Sequence, residues 1–272
     1  MNNTVKLGKL QFYWRNTEEP NFPQNPVPDF VDFSFGFKEE YQLISQIANP
    51  QTWEYLETVY KENHNVGYLQ EGHDLAESYG NDFLQFVLHA INEYHPDTKT
   101  IAEVGAGGCY ILNRLQKRGY DVIAIDPSPT THERSKELGI EVIPDFYPVK
   151  TQSLQVDLII HYDVLEHTQE PADFLAFHRQ DLKKNGLIVF AVPDSSSFIE
   201  RGDMSMIVHE HFNYFNVDSL ANVVLAAGFE PLKITKSEYG GVLYCFAHVS
   251  DNQWQPKSGV ALFDKFSRKW SY

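Results

Sequence analysis

Cysteine is nearly missing from the chain: Cys109 and Cys245 are the only two among 272 residues. That excludes a disulfide-stapled scaffold and a four-cysteine zinc module. It fits a reducing compartment, so the expected location is cytoplasmic. Basic residues are also few, with 22 Lys and Arg against 37 Asp and Glu and a formal charge of −15. An acidic surface repels phosphate backbones and anionic lipid, so neither nucleic acid nor a membrane is an expected partner. Apolar runs stop at strand length, too short to span a bilayer as a helix. The N-terminal residues Met1-Asn-Asn-Thr-Val-Lys6 lack the apolar core of a signal peptide. No internal repeat or low-complexity tract stands out.

Aromatic residues, in contrast, are abundant, with 19 Phe and 15 Tyr. The length suits one large α/β domain with a smaller appendage. Residues 1–75 read as an N-terminal arm or lid segment and 76–272 as the main domain. Within the arm, residues 18–28 are proline-punctuated and should be extended. Phe30, Phe33, Phe35 and Phe37 then fall at near-alternate positions, as in a short strand or an arm packed on the body. These aromatics suit a homodimer contact as well as a lid. Residues 38–68 take a helical pattern through Tyr41, Leu43, Ile44, Ile47, Trp53, Leu56, Val59 and Tyr60. A further helix is expected over 75–94. Strands near 100–104, 121–126, 140–144, 156–161 and 186–192 then alternate with helices near 110–118, 130–138, 171–183 and 217–228. Gly139, Gly186 and Gly228 stand where helices should stop. Residues 229–235 and 242–249 read as two closing strands. Ala261-Leu-Phe-Asp-Lys-Phe-Ser-Arg-Lys-Trp270 has the pattern of a helix just beginning, so a fragment of a longer protein is an open reading.

The most informative stretch is Ile101-Ala-Glu-Val-Gly-Ala-Gly-Gly-Cys-Tyr110, followed by Val122-Ile-Ala-Ile-Asp-Pro127. It reads as strand, glycine turn, helix, and a second strand ending in a carboxylate, the nucleotide half of a doubly wound sheet. A dinucleotide fingerprint wants glycine five positions after Gly105, where this chain has Tyr110. It has instead an acid two residues before the first glycine. The pattern Glu103-x-Gly105-x-Gly107 resembles motif I of the class I S-adenosylmethionine (SAM) methyltransferases. That family often has a third glycine where Cys109 stands here. The resemblance implies a Rossmann-like, doubly wound, mostly parallel seven-stranded sheet with an antiparallel last strand, and SAM as cofactor. Gly105 and Gly107 would let backbone approach the methionine part of SAM. Glu103 would hold its ammonium group, and Asp126, followed by Pro127, the ribose hydroxyls. A tight turn without a ligand is the alternative. Asp145 would take the adenine amino group with Phe146 against the ring, unless the two lie in a solvent-facing loop. His161, at the end of the expected fourth strand, would lie beside the methionine part. Leu165-Glu-His167 reads as the start of a helix.

A second stretch, Val208-His-Glu-His-Phe-Asn-Tyr-Phe215, invites a metal reading. The two histidines are two residues apart, where a helical zinc pair needs four, and no third ligand is evident, so no metal is expected. The stretch resembles the His-Glu-His-x-x-Tyr-Phe segment of SAM-dependent sugar methyltransferases, especially those acting at carbon on nucleotide-linked deoxysugars. Tyr239-Gly-Gly241 adds to the likeness, which covers about residues 100–250. Val208 and Tyr239 depart from that family's pattern, and its zinc module and long C-terminal domain are missing. The resemblance implies His211 as general base, Glu210 as its helper, and Tyr214 either on an acceptor hydroxyl or in the core. An imidazole titrates near neutrality and suits the task. The expected function is methyl transfer from SAM to a small polar acceptor, a sugar or sugar nucleotide, at oxygen or carbon. A catalytically silent SAM-binding module and an NAD-dependent oxidoreductase are the alternatives.

Overall fold

The computed structural model describes residues 4–12, 27–61, 70–150, 153–251 and 254–255. Most of the proline-punctuated stretch, residues 62–68 of the helical pattern and the helical pattern at 261–270 lie outside the described residues. The chain begins with three antiparallel strands, β1 (Thr4–Gln11), β2 (Phe30–Lys38) and β3 (Leu43–Gln46). Two helices follow, α1 (Pro50–Lys61) and α2 (Asp74–Tyr94). The central alternation is β4 (Thr100–Val104), α3 (Tyr110–Gln116), β5 (Asp121–Ile125), α4 (Pro129–Leu138), β6 (Glu141–Ile143), β7 (Val156–Tyr162), α5 (Pro171–Asp181) and β8 (Leu182–Pro193). Then come α6 (Ser195–Arg201), β9 (Asn213–Tyr214), α7 (Val217–Ala226), β10 (Phe229–Lys236) and β11 (Val242–Val249).

Seven strands form one sheet in the order β10-β11-β8-β7-β4-β5-β6. The five strands β6, β5, β4, β7 and β8 are mutually parallel, and β11 runs antiparallel to both neighbours. This is the doubly wound arrangement implied by the strand–glycine–helix pattern. Side chains alternate between its faces. Ile101, Ile160, Val189 and Phe246 pack under α2 and α3 with Phe83, Val87, Ile91 and Leu115. Ala102, Val104, Ile159, Phe190 and Val192 pack under α5 and α7 with Leu175, Leu220 and Val223. Asp157 fastens the entry of β7 to that of β4: its Oδ2 accepts from the N–H groups of Lys99 (3.0 Å) and Thr100 (2.9 Å), and Lys183 stands 3.1 Å from Oδ1. No helix of the described residues is long and apolar enough to cross a membrane.

The helical pattern read over 38–68 is corrected. Among the described residues there, only α1 is helical, and Leu43–Gln46 is a buried strand. Ile44 lies opposite Phe37 on β2 and Tyr214 on β9. Those long-range pairings override the local period, and Gln42 makes the turn with a φ of 55°. The alternating Phe33 and Phe35 are fully buried on β2 and pack with Ile44, Met206 and Tyr214. The small sheet, ordered β1-β2-β3-β9, therefore ties the N-terminal strands to the segment after β8, and the Phe212 N–H of that segment donates to the Glu166 carbonyl just after β7 at 2.7 Å.

Candidate active site

The glycine turn leaves the carboxyl end of β4, the neighbour of the central strand β7. Gly105 has a φ of 70°, and its N–H donates to the Ile125 carbonyl at 2.8 Å. A Cβ there would stand 2.6 Å from Val164 Cγ2, so this position has no room for a side chain. Cys109, at the position where relatives of motif I carry a third glycine, has a φ of 56°. The left-handed backbone explains that glycine preference, and burial pushes the Cys109 thiol up to about 12. Asp126 closes the turn. Its Oδ2 accepts from Gly107 N–H at 2.9 Å and its Oδ1 from Ser128 N–H at 2.8 Å. Desolvation nevertheless raises the Asp126 carboxyl above its ordinary range.

Glu103 is 4% exposed and its Oε2 has no hydrogen-bond partner. Burial, then the charge of Asp126, hold its carboxyl well above the usual range. An unpaired buried carboxylate oxygen is costly, and an ammonium group beside it would relieve that cost. Glycine backbone, an orphaned carboxylate and Asp126 are together a donor and acceptor set that fits SAM.

These groups open into a cavity of about 860 Å³. Its lining carries six carboxylates (Glu103, Asp126, Asp145, Asp163, Glu166 and Glu210) and, among the described residues, no lysine or arginine. A lining without a cation opposes a phosphate. Trp53 and Tyr60 of α1 form part of the wall, with their rings 6.5 and 6.4 Å from that of Phe146. Tyr60 donates its hydroxyl to Glu210 Oε2 at 3.3 Å.

The cavity wall also includes Glu166 and His167, from the one-turn 3-10 helix Leu165–His167 after β7, with Glu210 and His211. The ring Nδ1 of His167 contacts the Glu210 carbonyl and that of His211 the Met206 carbonyl, both at 2.9 Å. The two rings lie 5.1 Å apart. Burial pushes both imidazoles down to about 4, and for His211 the neighbouring His167 adds to the fall. Glu166 is 1% exposed, and neither carboxylate oxygen has a hydrogen-bond partner. Burial, then Asp163, raise its carboxyl well above the ordinary range.

Nine residues singled out in the sequence thus meet in one cavity: Glu103, Gly105, Gly107, Asp126, Pro127, Asp145, Phe146, Glu210 and His211. His161 and Tyr214 do not line it. His161 is fully buried beneath α5, its ring stacked 4.7 Å from Phe190 and facing His178. Tyr214 packs in the small-sheet core, 5.0 Å from Phe35. The His-Glu-His stretch is a turn, not a strand, so its histidines part. His209 is buried between Phe12 and Phe33 and contacts the Val31 carbonyl at 3.1 Å, while His211 enters the cavity. Sequence reasoning missed Glu166 and His167, which pattern alone placed at a helix start. A carboxylate directly after the apolar Val164-Leu165 pair was the available signal of burial.

A family model described as a methyltransferase domain matches residues 71–234. A probable S-adenosylmethionine-dependent methyltransferase of Mycobacterium tuberculosis is 26% identical over 134 residues, which are 48% of this chain and 48% of that protein. The C-methyltransferase NovU of Streptomyces niveus is 22% identical over 181 residues, covering 63% of this chain and 43% of NovU. The chain spans about half the length of the curated relatives it matches. Among solved structures, the 1,6-didemethyltoxoflavin-N1-methyltransferase of Burkholderia thailandensis, with bound 1,6-didemethyltoxoflavin and S-adenosylhomocysteine, superposes with a TM-score of 0.54 at 15% identity. The match covers 86% of this chain and 100% of that one and is a likeness of fold. None of these three is described by a sugar acceptor.

Proposed function

The chain belongs to the methyltransferase-domain family, and from that premise we propose that it is a SAM-dependent methyltransferase acting on a small polar acceptor, a sugar or sugar nucleotide, at oxygen or carbon. One observation carries the reading. A single cavity is lined both by the glycine turn, Glu103 and Asp126 and by His167 and His211. SAM, when bound, supplies a methyl group already activated on a sulfonium. The protein's work is then to align the acceptor and take its proton.

Gly105 and Gly107 give the cofactor backbone access, Glu103 receives its ammonium and Asp126 its ribose. Asp145 and Phe146 stand at the adenine. His211 is the general base. A carbonyl only accepts, so its Nδ1 carries the hydrogen given to Met206, and Nε2 keeps a lone pair. Burial and then His167 keep the His211 imidazole neutral and free to accept a proton, and the Glu210 charge works against them to favour the imidazolium that forms. The reacting hydroxyl or enolisable carbon lies beside the histidines, and any phosphate stays outside, because the lining offers it no cation. Helix α1 acts as the lid, with Trp53 and Tyr60 over the cavity. Buried, free Cys109 and Cys245 agree with a cytoplasmic protein, and exposed Phe30 suits a homodimer contact.

The test is transfer of a labelled methyl group from SAM to a panel of free sugars, sugar nucleotides and simple phenols. Labelling of a sugar, reduced at least a hundredfold in kcat by His211→Ala, is expected. SAM binding with no transfer to any of them would favour a silent binding module.

A further inference from the structure

We infer that Glu166, His167 and His211 form a site for a divalent transition-metal cation in the wall of the cavity. The inference rests on the methyltransferase reading only for the use made of the ion, not for the site itself. Both imidazoles give Nδ1–H to a backbone carbonyl, His167 to Glu210 and His211 to Met206. Each Nε2 is therefore a lone pair with no hydrogen of its own. Glu166 adds two buried carboxylate oxygens without a partner, one of them 3.6 Å from His167 Nε2. One ligand atom from each of the three residues lies within 4.8 Å of the other two.

Three residues thus converge, Glu166 buried and the two imidazoles half-buried against the cavity, each offering one ligand atom, and the Glu166 oxygens have no other partner. Left alone, that arrangement is costly. A cation satisfies all three at once. Side-chain movements below about an ångström bring such a triangle onto bonds of roughly 2.0–2.2 Å. Anchoring of each histidine through its second nitrogen is the outer-shell arrangement that fixes tautomer and ring orientation in metal sites. Two imidazoles and one carboxylate, with the remaining direction open to the cavity, suit Zn2+, Co2+, Fe2+ or Mn2+ better than Ca2+. The apparent histidine pair of the sequence is not the site. His209 faces the small sheet, and the two missing ligands come from the turn after β7. An acceptor hydroxyl on the ion would become more acidic. His211 Nε2 would then serve as ligand in place of its role as base, and the hydroxyl proton would pass to the Glu210 carboxylate in the same lining.

The test uses the tag-free chain, stripped with EDTA, and follows Co2+ by calorimetry and visible absorption, with Zn2+ as competitor. One Co2+ per chain is expected, with the intense visible bands of a four- or five-coordinate site. Glu166→Gln and His167→Ala should each weaken it at least tenfold, and Asp145→Asn, a carboxylate elsewhere in the same cavity, should not. Absence of stoichiometric Co2+ binding by the folded chain would overturn the inference, as would binding indifferent to Glu166→Gln and His167→Ala. SAM binding measured on the same stripped samples separates the two claims. SAM bound without any Co2+ site would leave the methyltransferase reading intact and remove the cation.

Discussion

Replacing Gly105 with alanine strains the glycine turn in two ways that can be measured separately. The backbone there has a φ of 70°, which costs an L-residue with a side chain about 1–2 kcal/mol. The new Cβ would also stand 2.6 Å from Val164 Cγ2, about 1 Å inside ordinary carbon–carbon contact. Relieving that overlap adds about 1–3 kcal/mol. Gly105→Ala should therefore lower unfolding stability by about 2–5 kcal/mol. Val164→Ala removes the offending methyl and leaves the φ strain untouched. The double variant should then recover about 1–2 kcal/mol relative to the sum of the single variants. Urea melts of the four proteins give this coupling directly, provided the slope with urea is unchanged. A coupling within 0.3 kcal/mol of zero would refute the steric argument, and an unchanged stability for Gly105→Ala would refute the strain as well.

Other consequences are as direct. Glu103→Gln replaces a buried carboxylate with a neutral amide, so SAM affinity in calorimetry should fall by about 1.5–3 kcal/mol, and the apo chain should be no less stable, since Oε2 has no partner to lose. Asp157, held down to about 2 chiefly by the N–H groups of Thr100 and Lys99 against its own desolvation, contributes stability that is present above its ordinary value of 3.8 and lost as pH falls through 2. Asp157→Asn should thus cost about 1–2 kcal/mol at pH 7 after solvent screening, and urea midpoints should show the gap narrowing below about pH 4. Phe35→Ala empties the core between the small sheet and the turn carrying His211, at a cost of about 3–5 kcal/mol in thermal or urea unfolding. A cost below 1 kcal/mol would mean that the small sheet is not integral to the fold.

Much of the large sheet was legible because its signals are local. The run Ile101–Val104, the glycines after it and the carboxylate at Asp126 specify strand, turn and strand within 30 residues. Gly139 ends α4 with a φ of 67°, as its place in the pattern required. The small sheet was not legible. β3 has four residues, β9 has two, and they pair across about 170 positions, so neither carries a period long enough to read. Leu43 and Ile44 fit a helical pattern and a strand equally well until Phe37 and Tyr214 stand opposite Ile44. The same limit applied at the site. Glu103, Gly105, Gly107 and Asp126 announce a ligand through spacing, whereas the meeting of Glu166 and His167 with His211 depends on how the turn after β7 faces the loop after α6. His209 and His211, adjacent in pattern, serve opposite sides of that loop.

The cofactor carries the whole account, so the decisive measurement is calorimetric titration of the purified chain with SAM, S-adenosylhomocysteine and NADH, repeated with Asp126→Ala. Binding of both adenosyl ligands and not of NADH, lost or weakened at least a hundredfold in Asp126→Ala while circular dichroism stays native, is the predicted result. A folded chain that binds neither SAM nor S-adenosylhomocysteine, or one that binds NADH instead, would contradict it.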